Sequence, residues 1–198
     1  MMAGIATFEK VGFEQFRDDM NACKEAWLHD YLQFCKTAKT DVNEDYYLAS
    51  VYENIQLPTR STTGSAGYDF KAPFAFDLEP GRTIKYPTGV RCKIDDGWFL
   101  ALFPRSSLGF KYRMQLDNSV GVIDSDYYFS DNEGHIHAKF TNDSKQLYSG
   151  DAMNPKPNII HIEAGDGYMQ GIFLPFGITT DDAATGVRNG GFGSTDRK

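Results

Sequence analysis

The stretch Pro80-Gly-Arg-Thr83-Ile-Lys-Tyr-Pro-Thr-Gly-Val-Arg-Cys-Lys-Ile-Asp-Asp-Gly97-Trp98-Phe-Leu-Ala-Leu-Phe103 sets the fold class. It holds two β-rich runs, Thr83 to Lys93 and Trp98 to Phe103, bounded by the turn signals Pro80-Gly81 and Asp95-Asp96-Gly97. Runs of aromatic and β-branched residues punctuated by glycine turns read as short strands. The texture persists on either side, with turn signals at Leu57-Pro58, Thr63-Gly64, Asn132-Glu133-Gly134 and Ala164-Gly165-Asp166-Gly167. Further strands are predicted over Gly134–Phe140, Ile159–Glu163 and Tyr168–Phe176. Many short strands with such turns indicate a mainly β domain of the barrel, sandwich or jelly-roll type.

Upstream the pattern changes. Phe13, Phe16, Met20, Cys23, Trp27, Tyr31 and Phe34 recur at steps of three or four, the spacing of one helix face, predicting a helix over roughly residues 8 to 38. The organisation expected is a helical extension and linker over 1–46, a β domain over 47–184 with a long loop at 144–158, and a glycine-rich arm over 185–198. The chain has 198 residues, 41% of them hydrophobic, enough for one ordinary domain with an appendage. With 20 basic against 27 acidic residues, the net charge of −7 argues against a general nucleic-acid or anionic-membrane binder. The absence of a long apolar run or a signal-like amino terminus gives a cytoplasmic expectation. Cys23, Cys35 and Cys92 have neither disulfide-framework nor zinc-site spacing.

Chemistry concentrates in a few segments. In Asn118-Ser-Val-Gly-Val-Ile-Asp-Ser-Asp-Tyr-Tyr128, Val120, Val122 and Ile123 read as a short, largely buried strand delivering two carboxylates. Period-two alternation would put Val122, Asp124 and Asp126 on one face and Ile123, Ser125 and Tyr127 on the other. Asp124 at the rim of such a strand suits a general base; a solvated turn is the alternative. Phe103-Pro-Arg-Ser-Ser-Leu-Gly-Phe110 offers Arg105 with Ser106 and Ser107 as an anion cradle, or else a serine-capped helix start. The tail Val187-Arg-Asn-Gly-Gly-Phe-Gly-Ser-Thr195 is either an arm that orders over a nucleotide or a glycine-rich end. Asp69 follows a glycine turn and Gln170 lies in a strand-like run. His135 and His137 share a strand face and, with Ile136, Ala138 and Phe140 pointing inward, are expected to face solvent.

Taken in order, Ala66-Gly-Tyr-Asp-Phe70, Pro104-Arg-Ser-Ser-Leu-Gly109, Gly121-Val-Ile-Asp-Ser-Asp-Tyr127, Gly165-Asp-Gly-Tyr-Met-Gln170 and Arg188-Asn-Gly-Gly-Phe-Gly-Ser-Thr195 resemble the five motifs of the trimeric dUTP diphosphatase (dUTPase) family. The resemblance spans about residues 47 to 198. It implies hydrolysis of dUTP to dUMP and pyrophosphate, which keeps uracil out of DNA and supplies dUMP for thymidylate synthesis. Asp124 would orient the attacking water. Asn118, with backbone groups of a hairpin over Gly121, Val122, Ile123 and Asp124, would hold uracil, and Tyr127 would pack under the deoxyribose and exclude a 2′-hydroxyl. Arg105, Ser106, Ser107 and Gln170 would contact the phosphates; Arg188, Phe192, Gly193, Ser194 and Thr195 would close over them; Asp69 would support the phosphate surroundings. Mg²⁺ would be held by the substrate phosphates and water rather than by protein ligands, and sites would be shared between subunits of a homotrimer.

Departures from the family pattern include Ser107 in place of a frequent glycine, Gly167-Tyr168-Met169 where an arginine and small apolar residues are common, and Tyr128-Phe129 at the end of motif three. The helix and the 144–158 loop read as additions. Some phage members carry insertions there, pointing to a viral or mobile-element origin and, in that case, to the host-cell cytoplasm. Two alternatives stand beside hydrolysis. One is a nucleotide-binding regulatory module that holds a protein partner through the helix or the loop. The other, dCTP deaminase, shares the Arg-Ser-Ser turn but needs a glutamate on the strand after motif three, which Gly134–Phe140 lacks.

Overall fold

The structure, a computed structural model, describes residues 4–39, 42–145, 148, 149, 156–188 and 190. Phe192, Gly193, Ser194 and Thr195 lie outside the described residues, as does most of the expected loop at 144–158.

The chain opens with strand β1 (Ala6–Lys10), then helices α1 (Phe13–Asn21), α2 (Lys24–Ala38) and α3 (Glu44–Glu53). Strands β2 (Tyr68–Lys71), β3 (Phe76–Leu78), β4 (Thr83–Pro87), β5 (Val90–Ile94) and β6 (Trp98–Pro104) lead to the short helix α4 (Ser106–Tyr112). After it come β7 (Met114–Leu116), β8 (Gly121–Ile123), a 3₁₀ turn over Ser125–Phe129, β9 (His137–Asn142), β10 (Tyr148–Ser149), β11 (Lys156–Pro157), β12 (Ile160–Ile162) and β13 (Gly167–Pro175). The fold is mainly β, as expected. The central sheet runs β2-β13-β6-β8 and a second runs β4-β9-β7, with the pairs β1-β5, β3-β12 and β10-β11 around them.

Strand β6 is central. Leu100, Ala101 and Leu102 are all buried, a continuous apolar run suited to a strand covered on both faces. The strands of the second sheet alternate instead: Ile84 and Tyr86, then Ala138, Phe140 and Asn142, point inward while Lys85 and Lys139 point out. The sheets meet through aromatic side chains, with Tyr168 of β13 5.0 Å from Tyr86 and 5.6 Å from Phe140 between ring centroids. Tyr86 also donates to the Phe74 carbonyl at 2.6 Å, which satisfies its buried hydroxyl.

The amino-terminal segment differs from the single helix expected. Its first residues form β1, antiparallel to β5 with Phe8 opposite Cys92. The helix breaks at Ala22 and Cys23, where the Met20 carbonyl accepts from Cys23 N at 2.9 Å and from the Trp27 indole N–H at 2.8 Å. The carbonyl that would have continued the helix is thus taken by a side chain and a tighter turn. The stretch read as a linker passes into α3, where Asn43 accepts from Tyr46 N at 2.8 Å and Glu44 and Asp45 fill the first turn. Trp27 stacks on Tyr47 at 5.5 Å, joining α2 to α3.

Helix α1 overturns one further expectation. His135 is fully buried and His137 nearly so, because Phe16 and Asp19 of α1 cover the face expected to meet water. Gly89 N donates to His135 Nε2 at 2.8 Å, so the ring proton sits on Nδ1, which donates to Asp19 Oδ2 at 2.6 Å. Burial brings the His135 imidazole down from 6.5 to about 4, against the raising effect of Asp19. Between those values the unfolded chain binds a proton that the folded chain refuses, so stability is fully present above pH 6.5 and falls as pH drops toward 4. The expected loss is about 3 kcal/mol at most. Urea midpoints at fixed protein concentration should decline between pH 7 and 4.5, and His135→Gln should flatten that slope.

Candidate active site

Three of the predicted residues converge at the end of β6. Asp69 of β2 stands opposite Gln170 of β13, and Gln170 in turn stands opposite Phe103 of β6. Gln170 Nε2 donates to Asp69 Oδ1 at 2.8 Å, Ser61 Oγ donates to Asp69 Oδ2 at 2.8 Å, and Arg105 Nε lies 3.9 Å from Asp69 Oδ1. Burial of this carboxyl opposes its charge, but the two hydrogen bonds and the Arg105 guanidinium outweigh that and hold it below the usual range. Asp69 therefore orients Arg105 and Gln170 rather than carrying a proton. Ser61 is an addition that the sequence reading missed; its only signal is a hydroxyl in the loop ahead of β2.

Arg105 is the residue before α4, and Leu108 N and Gly109 N both return to its carbonyl at 3.0 Å. Ser106 and Ser107 thus occupy the first turn of α4, exposed, with amides that precede the first intrahelical bonds. The segment starts a helix, but no serine caps it: Arg105 occupies the N-cap position without a side-chain cap hydrogen bond, and Ser106 and Ser107 follow inside the first turn beside its guanidinium. Gly167 lies directly beside it. A Cβ there would sit 2.7 Å from Arg105 Nη1 and 3.2 Å from its Cδ, so the unusual glycine of motif four gives the guanidinium room.

The second predicted cluster surrounds Asp124. The strand β8 ends at Ile123 and the chain enters the 3₁₀ turn, so the expected alternation of Asp124 and Asp126 with Ser125 and Tyr127 does not extend past β8. Val120 and Val122 are 37% and 48% exposed, and only Ile123 of the three apolar residues is buried. The Asp124 side chain is 44% exposed rather than desolvated, and it is paired: Arg188 Nη2 lies 2.5 Å from Asp124 Oδ2, while Arg188 Nε lies 3.0 Å from Asp126 Oδ1. The same guanidinium sits 5.6 Å from the Tyr127 ring centroid. Tyr127 is buried, donates to the His135 carbonyl at 2.9 Å and accepts from Asn132 Nδ2 at 2.9 Å. Asp126 as a second anchor for Arg188 was not foreseen as a site residue.

Asn118 and Gly121 line a third feature. Gly121 to Ile123 of the expected hairpin form β8, which pairs with β6, whereas β7 before it pairs with β9, so the chain passes between sheets at Asn118. Ser119 turns the chain with φ of 66°. The divergence opens a pocket of about 240 Å³ between the two sheets, lined by Leu102, Leu116, Asn118, Gly121, His137 and Lys139 among others. Its size and mixed lining suit a flat heterocycle with polar edges.

The two charged clusters are not adjacent in one chain. Ile123, the last residue of β8, pairs with Leu100, five positions before Arg105, and Asp124 follows it one step further from that end. At roughly 3.3 Å per residue they lie about 20 Å apart along β6.

Comparison with known proteins gives the same class. A dUTPase family profile matches residues 53–149. A deoxyuridine 5′-triphosphate nucleotidohydrolase of Lactococcus lactis subsp. lactis (strain IL1403) is 37% identical over 155 residues, covering 76% of this chain and 95% of the relative. The crystal structure of dUTPase from Streptococcus mutans aligns with a TM-score of 0.52 at 40% identity, over 64% of this chain and 90% of that one. The dUTPase from phage phi11 of S. aureus, whose structure visualises a species-specific insert, shares the fold with a TM-score of 0.53 at 22% identity, over 68% of this chain and 92% of that chain. The chain belongs to the dUTPase family.

The turn carrying Asp124 and Tyr127 depends on Gly134. Its φ of +70° is disfavoured for other residues, and a Cβ there would lie 2.7 Å from Tyr128 Cα and 2.8 Å from the Tyr127 carbonyl oxygen. Backbone cannot swing aside as a side chain would. Gly134→Ala is therefore expected to destabilise the protein by about 2 kcal/mol or more, read as a fall in thermal midpoint.

Proposed function

We propose that this chain hydrolyses dUTP to dUMP and pyrophosphate, limiting uracil in DNA and supplying dUMP for thymidylate synthesis. The observation that carries the reading is the pairing of an ionic base cluster, Asp124 with Arg188, with a separate donor cluster of Arg105, Ser106, Ser107 and Gln170 organised by Asp69. The uracil belongs in the pocket at Asn118 and Gly121, against the backbone of Gly121, Val122 and Ile123, with Tyr127 bordering the deoxyribose.

Asp124 takes a proton from a water molecule as that oxygen forms a bond to the α-phosphorus and the bond to the bridging oxygen of pyrophosphate breaks. Arg188 fixes the carboxylate's orientation and places a positive charge beside the reacting phosphate. Arg105 and the α4 amides offset the charge that builds on the departing pyrophosphate. Phe192, Gly193, Ser194 and Thr195 are assigned to the covering arm. The donor set fits a metal-bearing triphosphate: it consists of guanidinium, hydroxyl and amide groups that match phosphate oxygens. Among the described residues the one cluster of three metal-ligating side chains is Asp19, His135 and His137, in which His135 Nδ1 and His137 Nε2 already face Asp19 Oδ2. Mg²⁺ would therefore be held by the phosphates and water, where it neutralises charge on the reacting oxygens.

A backbone separation of about 20 Å between Asp124 and Arg105 is long for one triphosphate arranged for attack at its α-phosphorus to span with both residues at reacting atoms. A site shared between copies resolves this, and a homotrimer is the assembly proposed, with Val120, Val122 and Phe129, all exposed in the single chain, available for its interfaces. The setting proposed is the cytoplasm, the host's if a phage encodes the chain. Domain limits of 1–46, 47–184 and 185–198 are kept as a functional division into extension, catalytic body and arm.

Asp124→Asn is expected to bind dUTP nearly as well as wild type and to lower kcat by about 100-fold or more, measured by pyrophosphate release. Wild-type turnover would remove Asp124 as the base. Site sharing is tested by co-refolding Asp124→Asn with Arg105→Ala, each inactive alone. Random assortment into trimers should restore about a quarter of the sites, because some then draw Asp124 and Arg105 from different copies. No recovery would place both residues in one chain's site.

A further inference from the structure

The pocket at Asn118 has a wall that belongs to no recognised motif, and this wall is held from the amino-terminal segment. His137 lines the pocket beside Asn118 and Gly121. Its Nε2 lies 3.3 Å from Asp19 Oδ2 and 3.2 Å from His135 Nδ1, and the two imidazoles meet edge to face with centroids 4.5 Å apart. Asp19 comes from α1, and its Oδ2 also accepts from Gln15 Nε2 at 2.8 Å.

The proton arrangement follows from these contacts. Gly89 N–H occupies His135 Nε2, so His135 carries its proton on Nδ1 and donates it to Asp19. Burial opposes charge on Asp19, but the hydrogen bonds from His135, His137 and Gln15 outweigh it and keep the carboxyl well below the usual range; it is acceptor only. A lone pair on His137 Nε2 would face a carboxylate oxygen at 3.3 Å, whereas an N–H there is attracted. The neutral ring is therefore set with its proton on Nε2, which leaves Nδ1 as an acceptor for a donor group of the ligand, such as a base N–H or a sugar hydroxyl.

We infer that His137 contacts the nucleoside in this pocket and that Asp19 is its positioning residue, so the amino-terminal segment completes the substrate site. The inference rests on the pocket being the nucleoside pocket of the proposed hydrolase. It gives α1 a role in binding substrate without requiring a protein partner.

The test is a double-mutant cycle in the full chain, with kcat and KM measured for dUTP. His137→Ala and Asp19→Asn should each raise KM about three- to tenfold, the range for one lost hydrogen bond to a ligand, with kcat changed by about twofold or less. The double variant should be no worse than His137→Ala, because Asp19 acts through that ring. Additive effects on KM, or an unchanged KM in His137→Ala, would overturn the inference. A second readout uses the wild-type protein: ¹⁵N NMR of the histidine rings should show His137 protonated at Nε2, with its Nδ1 signal shifting as dUMP is titrated. A proton on Nδ1, or no shift at saturating dUMP, also overturns it. If wild type releases no pyrophosphate from dUTP, the hydrolase reading fails by itself, and the dUMP titration still decides His137.

Discussion

Strand β6 is the constraint on which the site depends. Its centre, Leu100 to Leu102, is buried on both faces and cannot shift or lengthen without disturbing β13 on one side and β8 on the other. Because β6 and β8 are antiparallel, the chain leaves β6 toward Arg105 and α4 at one end and leaves β8 toward Asp124 at the other. The backbone separation between Asp124 and Arg105 is therefore fixed by a ladder of backbone hydrogen bonds.

Electrostatic balance at each end follows from that separation. At the Arg105 end, Asp69 is nearly enclosed and its charge organises Arg105 and Gln170. At the other end, Asp124 and Asp126 share Arg188, the first residue of the carboxyl-terminal motif. A chain with an overall charge of −7 thus sets Arg105 and Arg188 against carboxylates at the two ends. The amino-terminal segment adds a third balance, in which one half-buried carboxylate, Asp19, aligns two histidines on or beside β9. Its strand β1 and helices α1 to α3 are packed into the body through Val11, Phe16 and Trp27, all fully buried.

Much of this was readable in the chain. The runs Thr83–Lys93 and Trp98–Phe103 gave strands, although Thr88 and Gly89 divide the first into β4 and β5. Arg105, Asp69 and Gln170 were named from their motifs, and the structure brings them together. The motif order also pointed to the family that the relatives in Lactococcus and Streptococcus represent. The helix face from Phe13 to Phe34 was visible as a period, but its break at Cys23 was not, because it is made by a long-range use of the Met20 carbonyl by Trp27. Asn43 and the acidic pair after it carry the cap and first-turn pattern of α3, but the polar composition around them reads as a linker.

What the sequence determined by itself was local: strand and turn periodicity, the residue types of each motif, and the cap at Asn43, all governed by neighbours within a few positions. Only the tertiary structure decided that Asp124 and Arg105 stand at opposite ends of one strand, that Val120 and Val122 are exposed in a single chain, and that His135 and His137 are covered by α1. These depend on which strands pair and which helix lies over them. Such choices bring Asp19 to His135 across more than a hundred residues, a relation that no local pattern encodes.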